Sequence, residues 1–319
     1  MNYWNEKLHI GNLSYSRFIS GPLDGYTDSP FRRLVRLFSP QSLLYGEMRH
    51  VASVVHSRGR KALIFEKTEL PLQFQITTNS LDYVAEAVEL ILQTGVAGID
   101  LNIACPARNV VKSCSGSALM AQPELLKQVL TLLRSLVSIP LTVKMRAGFK
   151  EKNALDVVKL IADCGIDALA IHPRLQTEKF CGEPDYNLVA QVKKSVTIPV
   201  LYSGGIHTFD DAKQVYEKTG VDGFLIGRGM CGKPWKLNEL DACAHGELYM
   251  ISKEQIVDVA IAHLDYLIQY YQGEGLYNFR KHIPFYISNF EGASALRQTL
   301  ITSESVEEVK QGLSSILRK

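Results

Sequence analysis

No stretch of this 319-residue chain is apolar over the roughly 20 residues that a membrane-crossing helix needs. The N-terminal MNYWNEKLHIGN lacks the basic-then-apolar layout of a secretory signal, so a cytoplasmic protein without a membrane partner is expected. Its six cysteines show neither a CxxC pair nor His/Cys ligand spacing, which argues against a zinc site or disulfide framework; reduced thiols and no metal are expected. Charge of either sign is not in excess, the net being +2, so a nucleic-acid partner would have to be held by a local basic patch. No glycine fingerprint for a dinucleotide follows the first strand-like run. Low-complexity linkers and internal helical repeats are also missing.

What is present is an alternation of short β-branched runs with amphipathic segments. Strand-like runs are RFISG (17–21), SLLYGE (42–47), PLQFQI (71–76), GIDLN (98–102), PLTVKM (140–145), DALAIH (167–172), IPVLYS (198–203) and DGFLIG (222–227). Helical patterns over 81–93, 123–136, 154–163, 186–194 and 210–218 lie between most of them. Eight strands, most followed by a helix, predict an α/β fold, a (β/α)8 TIM barrel over about 15–240. An open doubly wound sheet is the alternative, weakened by the missing fingerprint. After Leu240 the pattern turns helical, with Ile256, Val259, Ala260, His263, Leu264 and Leu267 on one face. The expected division is a barrel domain over 1–242 and a helical domain over 243–319.

In such barrels the chemistry sits at the C-terminal ends of the strands. Those ends carry Pro22, Glu47, Gln75, Asn102, Lys144 with Arg146, His172 with Arg174, Ser203-Gly204-Gly205 and Gly227-Arg228-Gly229. So many polar groups would be costly in a barrel with only a structural role. Taken singly each has a bland reading: His172 as a satisfied structural histidine, Glu47 as a solvent-facing carboxylate, the glycines as tight turns. The most informative stretch is DLNIACPARNVVKSCSGSALM (100–120). It ends a strand at Asn102 and then presents Cys105, held by Pro106, in a polar loop that turns at Gly116. A free cysteine is most often a small buried hydrophobe, but this placement lets a thiol approach a ligand above the sheet. Loops after the seventh and eighth strands commonly bind phosphate through backbone N–H groups. With a lysine at the fifth strand and amides at the third and fourth, flavin mononucleotide (FMN) fits the pattern; a sugar phosphate fits the spacing nearly as well.

These residues resemble the flavin-dependent tRNA-dihydrouridine synthases over nearly the whole chain. The resemblance runs from GPLDGYTDSPFR through Gln75, Asn102, Cys105-Pro106, the GSALM turn, KMRAGF (144–149), IHPR (171–174), SGGI (203–206) and IGRG (226–229). Phe279-Arg280-Lys281-His282 is similar to a motif of bacterial members. It implies that Pro22, Leu23, Gln75, Asn102, Lys144, His172, Ser203, Gly204, Gly205, Gly227 and Arg228 hold FMN, with NADPH as reductant. Cys105 would be the general acid toward C5 of a uracil base extruded from folded tRNA. Asn102, Arg146, Arg174, Arg280, Lys281 and His282 would face that tRNA, and the protein would act as a monomer. Three positions depart from the family pattern: Ala104 replaces a glycine, Ser203-Gly204-Gly205 replaces Asn-Gly-Asp, and Phe180 replaces a tyrosine.

The helical segment is not a basic plate, since 245–319 holds nine acidic residues against seven Lys and Arg. Its positives are clustered instead, as are Arg32, Arg33 and Arg36, and Arg58, Arg60 and Lys61. Such clusters form a tRNA groove only if the fold aligns them around the barrel mouth. Two other classes remain: a flavin barrel acting on a free small molecule, of dihydroorotate or enone type, and a barrel that binds RNA without chemistry.

Overall fold

Every second residue of three successive central strands is large and apolar, and the residues between them are polar. In LQFQIT, GIDLNI and LTVKMRAG the apolar set (Leu72, Phe74, Ile76; Ile99, Leu101, Ile103; Leu141, Val143, Met145) joins the main hydrophobic core under the surrounding helices. Side chains alternate across a strand, so Gln73, Gln75, Asp100, Asn102, Thr142 and Lys144 must point the other way, into the barrel. The polar interior is thus a direct consequence of the period-2 pattern.

The structure is a computed structural model describing residues 3–57, 63–179, 181–288 and 290–318. Eight parallel strands form the barrel: β1 (Phe18–Ser20), β2 (Leu44–Tyr45), β3 (Leu72–Thr77), β4 (Gly98–Ile103), β5 (Leu141–Gly148), β6 (Ala168–Leu175), β7 (Val200–Ser203) and β8 (Gly223–Ile226). All eight coincide with the strand-like runs of the sequence. Neighbours in sequence are neighbours in the sheet, and β8 returns to pair with β1. The seam between β1 and β2 is held by the Ser20 N–H to Leu43 O at 3.2 Å and the Tyr45 N–H to Ser20 Oγ at 2.8 Å. Register sets the chemistry: Gln75 lies opposite Asp100, Asn102 opposite Lys144, and Arg146 opposite His172.

The floor of the barrel is an N-terminal hairpin that sequence patterning does not announce. Leu8–Ile10 pairs antiparallel with Leu13–Tyr15, and Leu8, Ile10 and Tyr15 pack beneath Ile19, Leu43, Tyr45, Leu201 and Leu225. Three-residue strands are too short to show a period.

A second hydrophobic core gathers the C-terminal helices. Ser252 caps helix Lys253–Tyr271 in a reciprocal box with Gln255. That helix contributes Val257, Ala260, Leu264 and Leu267, against Phe279, Ile283, Leu300, Val309 and Leu313. Helix Ser29–Phe38, which follows β1, serves both cores, with Phe31 and Val35 in the barrel and Leu34 in the helical cluster. Position 242 falls within helix Lys236–Ala244, whose Leu237 and Leu240 belong to the barrel core. Among the described residues no helix is long and apolar enough to cross a membrane.

Candidate active site

A cavity of about 920 Å³ opens at the C-terminal ends of the strands, within the ~300–1,000 Å³ range of cofactor and small-molecule sites. Pro22 and Leu23 line it from the β1 loop, Gln75 from β3, Asn102 from β4, Cys105 from the loop after β4, and Lys144 and Arg146 from β5. His172, the Ser203-Gly204-Gly205 turn and the Gly227-Arg228 turn complete the wall.

Cys105 is half-buried, and its peptide is fixed on every side. Asn102 Oδ1 accepts the N–H groups of Ala104 and Cys105, both at 2.9 Å. Cys105 O accepts from Ser117 Oγ at 2.8 Å, and Arg146 Nε donates to Ala104 O at 2.7 Å. Gly116 sits at φ +57°, and a Cβ there would stand 3.1 Å from that of Cys105, so only glycine lets the loop close over the thiol. Ala104, where the family pattern has glycine, is buried within this clamp. Cys114 lies in the same loop but is exposed and does not line the cavity.

Burial pushes the Cys105 thiol above its ordinary pKa, opposed by the Ala107 N–H, Lys144 and Arg146. It therefore rests protonated at neutral pH, with two cations and a donor placed to receive the thiolate. Lys144 is brought down to about 8, chiefly by burial and then by Arg146, while Asp100 and Cys105 act the other way. Burial, then Lys144, Arg146, Arg174 and Arg228, drive His172 to about 2, so its ring is neutral.

Several expected substrate contacts are placed elsewhere. Arg146 borders the cavity but is buried, donating to Ala104 O, Leu175 O and Lys179 O; it ties the loop after β4 to the end of β6 and the loop that follows it. Arg174 donates to Gly182 O and approaches His172 Nε2 at 3.5 Å. His282, expected to face tRNA, is buried: it is 1 % exposed, with its ring 4.3 Å from that of His263 and 5.3 Å from Tyr26. Apolar neighbours on both sides of Phe279–Tyr286 draw it inward. Arg280 donates to Ser303 O, and Lys281 stands over the Tyr26 ring at 5.8 Å; neither borders the cavity.

The arginines after β1 serve packing as well. Arg32 is buried against Glu69 at 2.6 Å, Arg36 donates to five backbone carbonyls, and Arg33 covers Tyr266. Glu47 is not solvent-facing: it is buried, accepts the Gly25 N–H at 2.6 Å and pairs with Arg49. Arg58, Arg60, Lys61 and Phe180 lie outside the described residues. Sequence reasoning missed Arg108 and Lys112, exposed on the short helix after Cys105 and both lining the cavity mouth. Their i,i+4 spacing was the available clue.

A flavin fits what is present. Lys144 is an ammonium facing the cavity; Gly204 (φ +125°) and Gly205 (φ +68°) form a turn in which a Gly204 Cβ would lie 2.8 Å from His172 Cδ2. Both glycines line the cavity, and backbone N–H groups at such a turn can bind a phosphate.

The family model described as Dihydrouridine synthase (Dus) matches residues 18–319. A probable tRNA-dihydrouridine synthase 1 of Synechocystis is 32 % identical over 320 residues, covering 98 % of this chain and 90 % of that protein. The tRNA-dihydrouridine synthase B of Vibrio vulnificus is 32 % identical, covering 92 % and 93 %. That of Pseudomonas aeruginosa is 33 % identical, covering 88 % and 87 %. Among solved structures, a variant of NCR from Zymomonas mobilis superposes with a TM-score of 0.53 over 80 % of this chain and 95 % of that one; at 13 % identity this likeness shows the fold alone.

Proposed function

This chain belongs to the dihydrouridine synthase family, and we propose that its cavity holds FMN beneath an extruded uridine of tRNA, with Cys105 as the proton donor. It is a flavin-dependent oxidoreductase that forms 5,6-dihydrouridine in tRNA. The observation that carries the site assignment is Cys105, its loop clamped by Asn102, Ser117 and Arg146, lining a cofactor-sized cavity together with Lys144.

Gly204, Gly205, Gly227 and Arg228 would hold the flavin's phosphate, with Ser203, Pro22 and Leu23 alongside. Gln75, Lys144 and His172 would hold its ring. Reduced by NADPH, the flavin would supply a hydride to C6 of the uracil. Cys105 gives its proton to C5 from the opposite face, so hydride and proton together saturate one double bond. The thiolate left behind is held by Lys144, Arg146 and the Ala107 N–H until solvent reprotonates it. Asn102 keeps Cys105 in place through its backbone. The cavity mouth offers Arg108 and Lys112 to RNA phosphates, with Arg174, Lys281 and the C-terminal helices farther out.

The test is direct. Purified protein should show a flavin spectrum and form dihydrouridine in unmodified tRNA when given NADPH. Cys105→Ala should keep the flavin and lose dihydrouridine formation by at least about a hundredfold, whereas Cys114→Ala should remain near wild type. Equal losses from both would overturn the assignment of the acid. A protein that cannot be loaded with FMN would overturn the cofactor.

A further inference from the structure

Inside the barrel a line of side chains runs from the middle of β4 to the cysteine loop, and every link has a direction. At its lower end Asp100, fully buried, accepts from Thr142 Oγ1 at 2.5 Å and from Gln75 Nε2 at 2.7 Å. Gln75 then turns its Oε1 to Asn102 Nδ2 at 2.8 Å. Asn102 in turn presents Oδ1 to the N–H groups of Ala104 and Cys105.

The two ends of this line are chemically opposite. An ionised carboxylate only accepts, and two backbone N–H groups only donate. Between them the amides of Gln75 and Asn102 satisfy every atom in one orientation alone. Reversing either amide sets oxygen against oxygen or N–H against N–H in a buried site, where such a mismatch is costly.

We propose that Asp100 is a positioning residue: its acceptor-only carboxylate fixes the direction of the Gln75–Asn102 amide chain, and so fixes the backbone that presents Cys105. Nothing in this role requires Asp100 to touch substrate or flavin. It explains an acidic residue at the middle of β4, where packing alone would favour an apolar or small side chain. The groups facing Asp100 are Gln75 from β3, Thr142 and Lys144 from β5, and Tyr45 from β2, itself beside Tyr15 of the floor hairpin. Burial raises the Asp100 carboxyl to about 6, opposed by Thr142, Gln75, Lys144 and Tyr45. As pH falls through that range the carboxyl gains a proton, stops being acceptor-only, and loses its hold on the chain's direction.

The inference deepens the assignment of Cys105 but is read without turnover, so it can fail while the acid assignment stands. Amide hydrogen exchange on the flavin-loaded protein is the measurement. Asp100→Asn should lower protection of the Ala104 and Cys105 amides about tenfold, with the neighbouring amides of β4 holding. Thr142→Val removes a partner from the same cluster but leaves the carboxylate; it should lower the melting temperature and leave those two amides protected. Should Asp100→Asn not fold, the wild type answers alone: protection at Ala104 and Cys105, corrected for intrinsic exchange, should fall between pH 7.5 and pH 5.5, bracketing the value of about 6. Unchanged protection in Asp100→Asn, a flat pH profile, or an equal loss in Thr142→Val would overturn the proposal.

Discussion

A thiol serves as an acid only while it keeps its proton, and Cys105 is built to keep it. Burial raises its pKa, and the loop leaves it half-exposed to the cavity rather than sealed in the core. A raised pKa means the acid form persists through neutrality and is lost as pH climbs past an ordinary thiol's range. Single-turnover dihydrouridine formation by pre-reduced enzyme should therefore be flat from pH 6.5 to 8 and decline on the alkaline side. A decline beginning below neutrality would instead mark a thiolate at rest. Lys144, at about 8, loses its charge over part of the same limb, so flavin binding should loosen there too. Flavin fluorescence released on raising the pH separates the two effects.

In the proposed flavin site the turn after β7, rather than a strand, sets the geometry. At Gly204 an added methyl meets His172 Cδ2 at 2.8 Å, while at Gly205 it meets nothing within 4 Å. Gly205, at φ +68°, lies in the left-handed region, where a side chain costs about 1–2 kcal/mol. Gly205→Ala should thus lose about that much stability and still bind flavin. Gly204→Ala should also displace His172 or the turn, and the purified protein should be largely colourless. Flavin content per mole of protein checks both. Arg108 and Lys112 are the proposed contacts to the other partner: replacing both by glutamine should weaken tRNA binding and flatten its log–log salt dependence by about one to two units. Flavin content should not change.

On the scale of the molecule, barrel and helical part each bury polar groups. Arg32 and Glu69 form an ion pair with side-chain exposures of 7 % and 0 %, and removing one partner of such a pair costs about 3–5 kcal/mol. Nearby, His263 and His282 face each other with both ring nitrogens of His282 and Nε2 of His263 buried and unbonded. Burial and then Lys281 lower His282 to about 3; burial, His282 and Lys281 lower His263 as well. Below the unfolded value near 6.5 the unfolded chain takes up protons that the folded one refuses, so stability is lost as pH falls from there toward 3. For His282 alone this amounts to roughly 2 kcal/mol at pH 5. His282→Phe keeps the ring contacts and should remove about that much of the acid sensitivity, read from urea unfolding at pH 5 and pH 7.5.

Sequence alone determined the eight strands, the helical tail and the placing of Cys105, because a period of two, a period of 3.6 and the strand-end rule are local patterns. It could not place His282 or Arg32, since a basic residue beside apolar neighbours reads alike whether its head reaches solvent or a buried partner. It also passed over Asp100, a lone acid within a strand whose meaning depends on Gln75, Asn102 and Thr142 from two other strands and its own. Those contacts exist only once register sets Gln75 against Asp100 and Asn102 against Lys144. The chain's local chemistry chose which residues would face the barrel interior; closure of the sheet decided which of them meet, and in which direction their hydrogen bonds run.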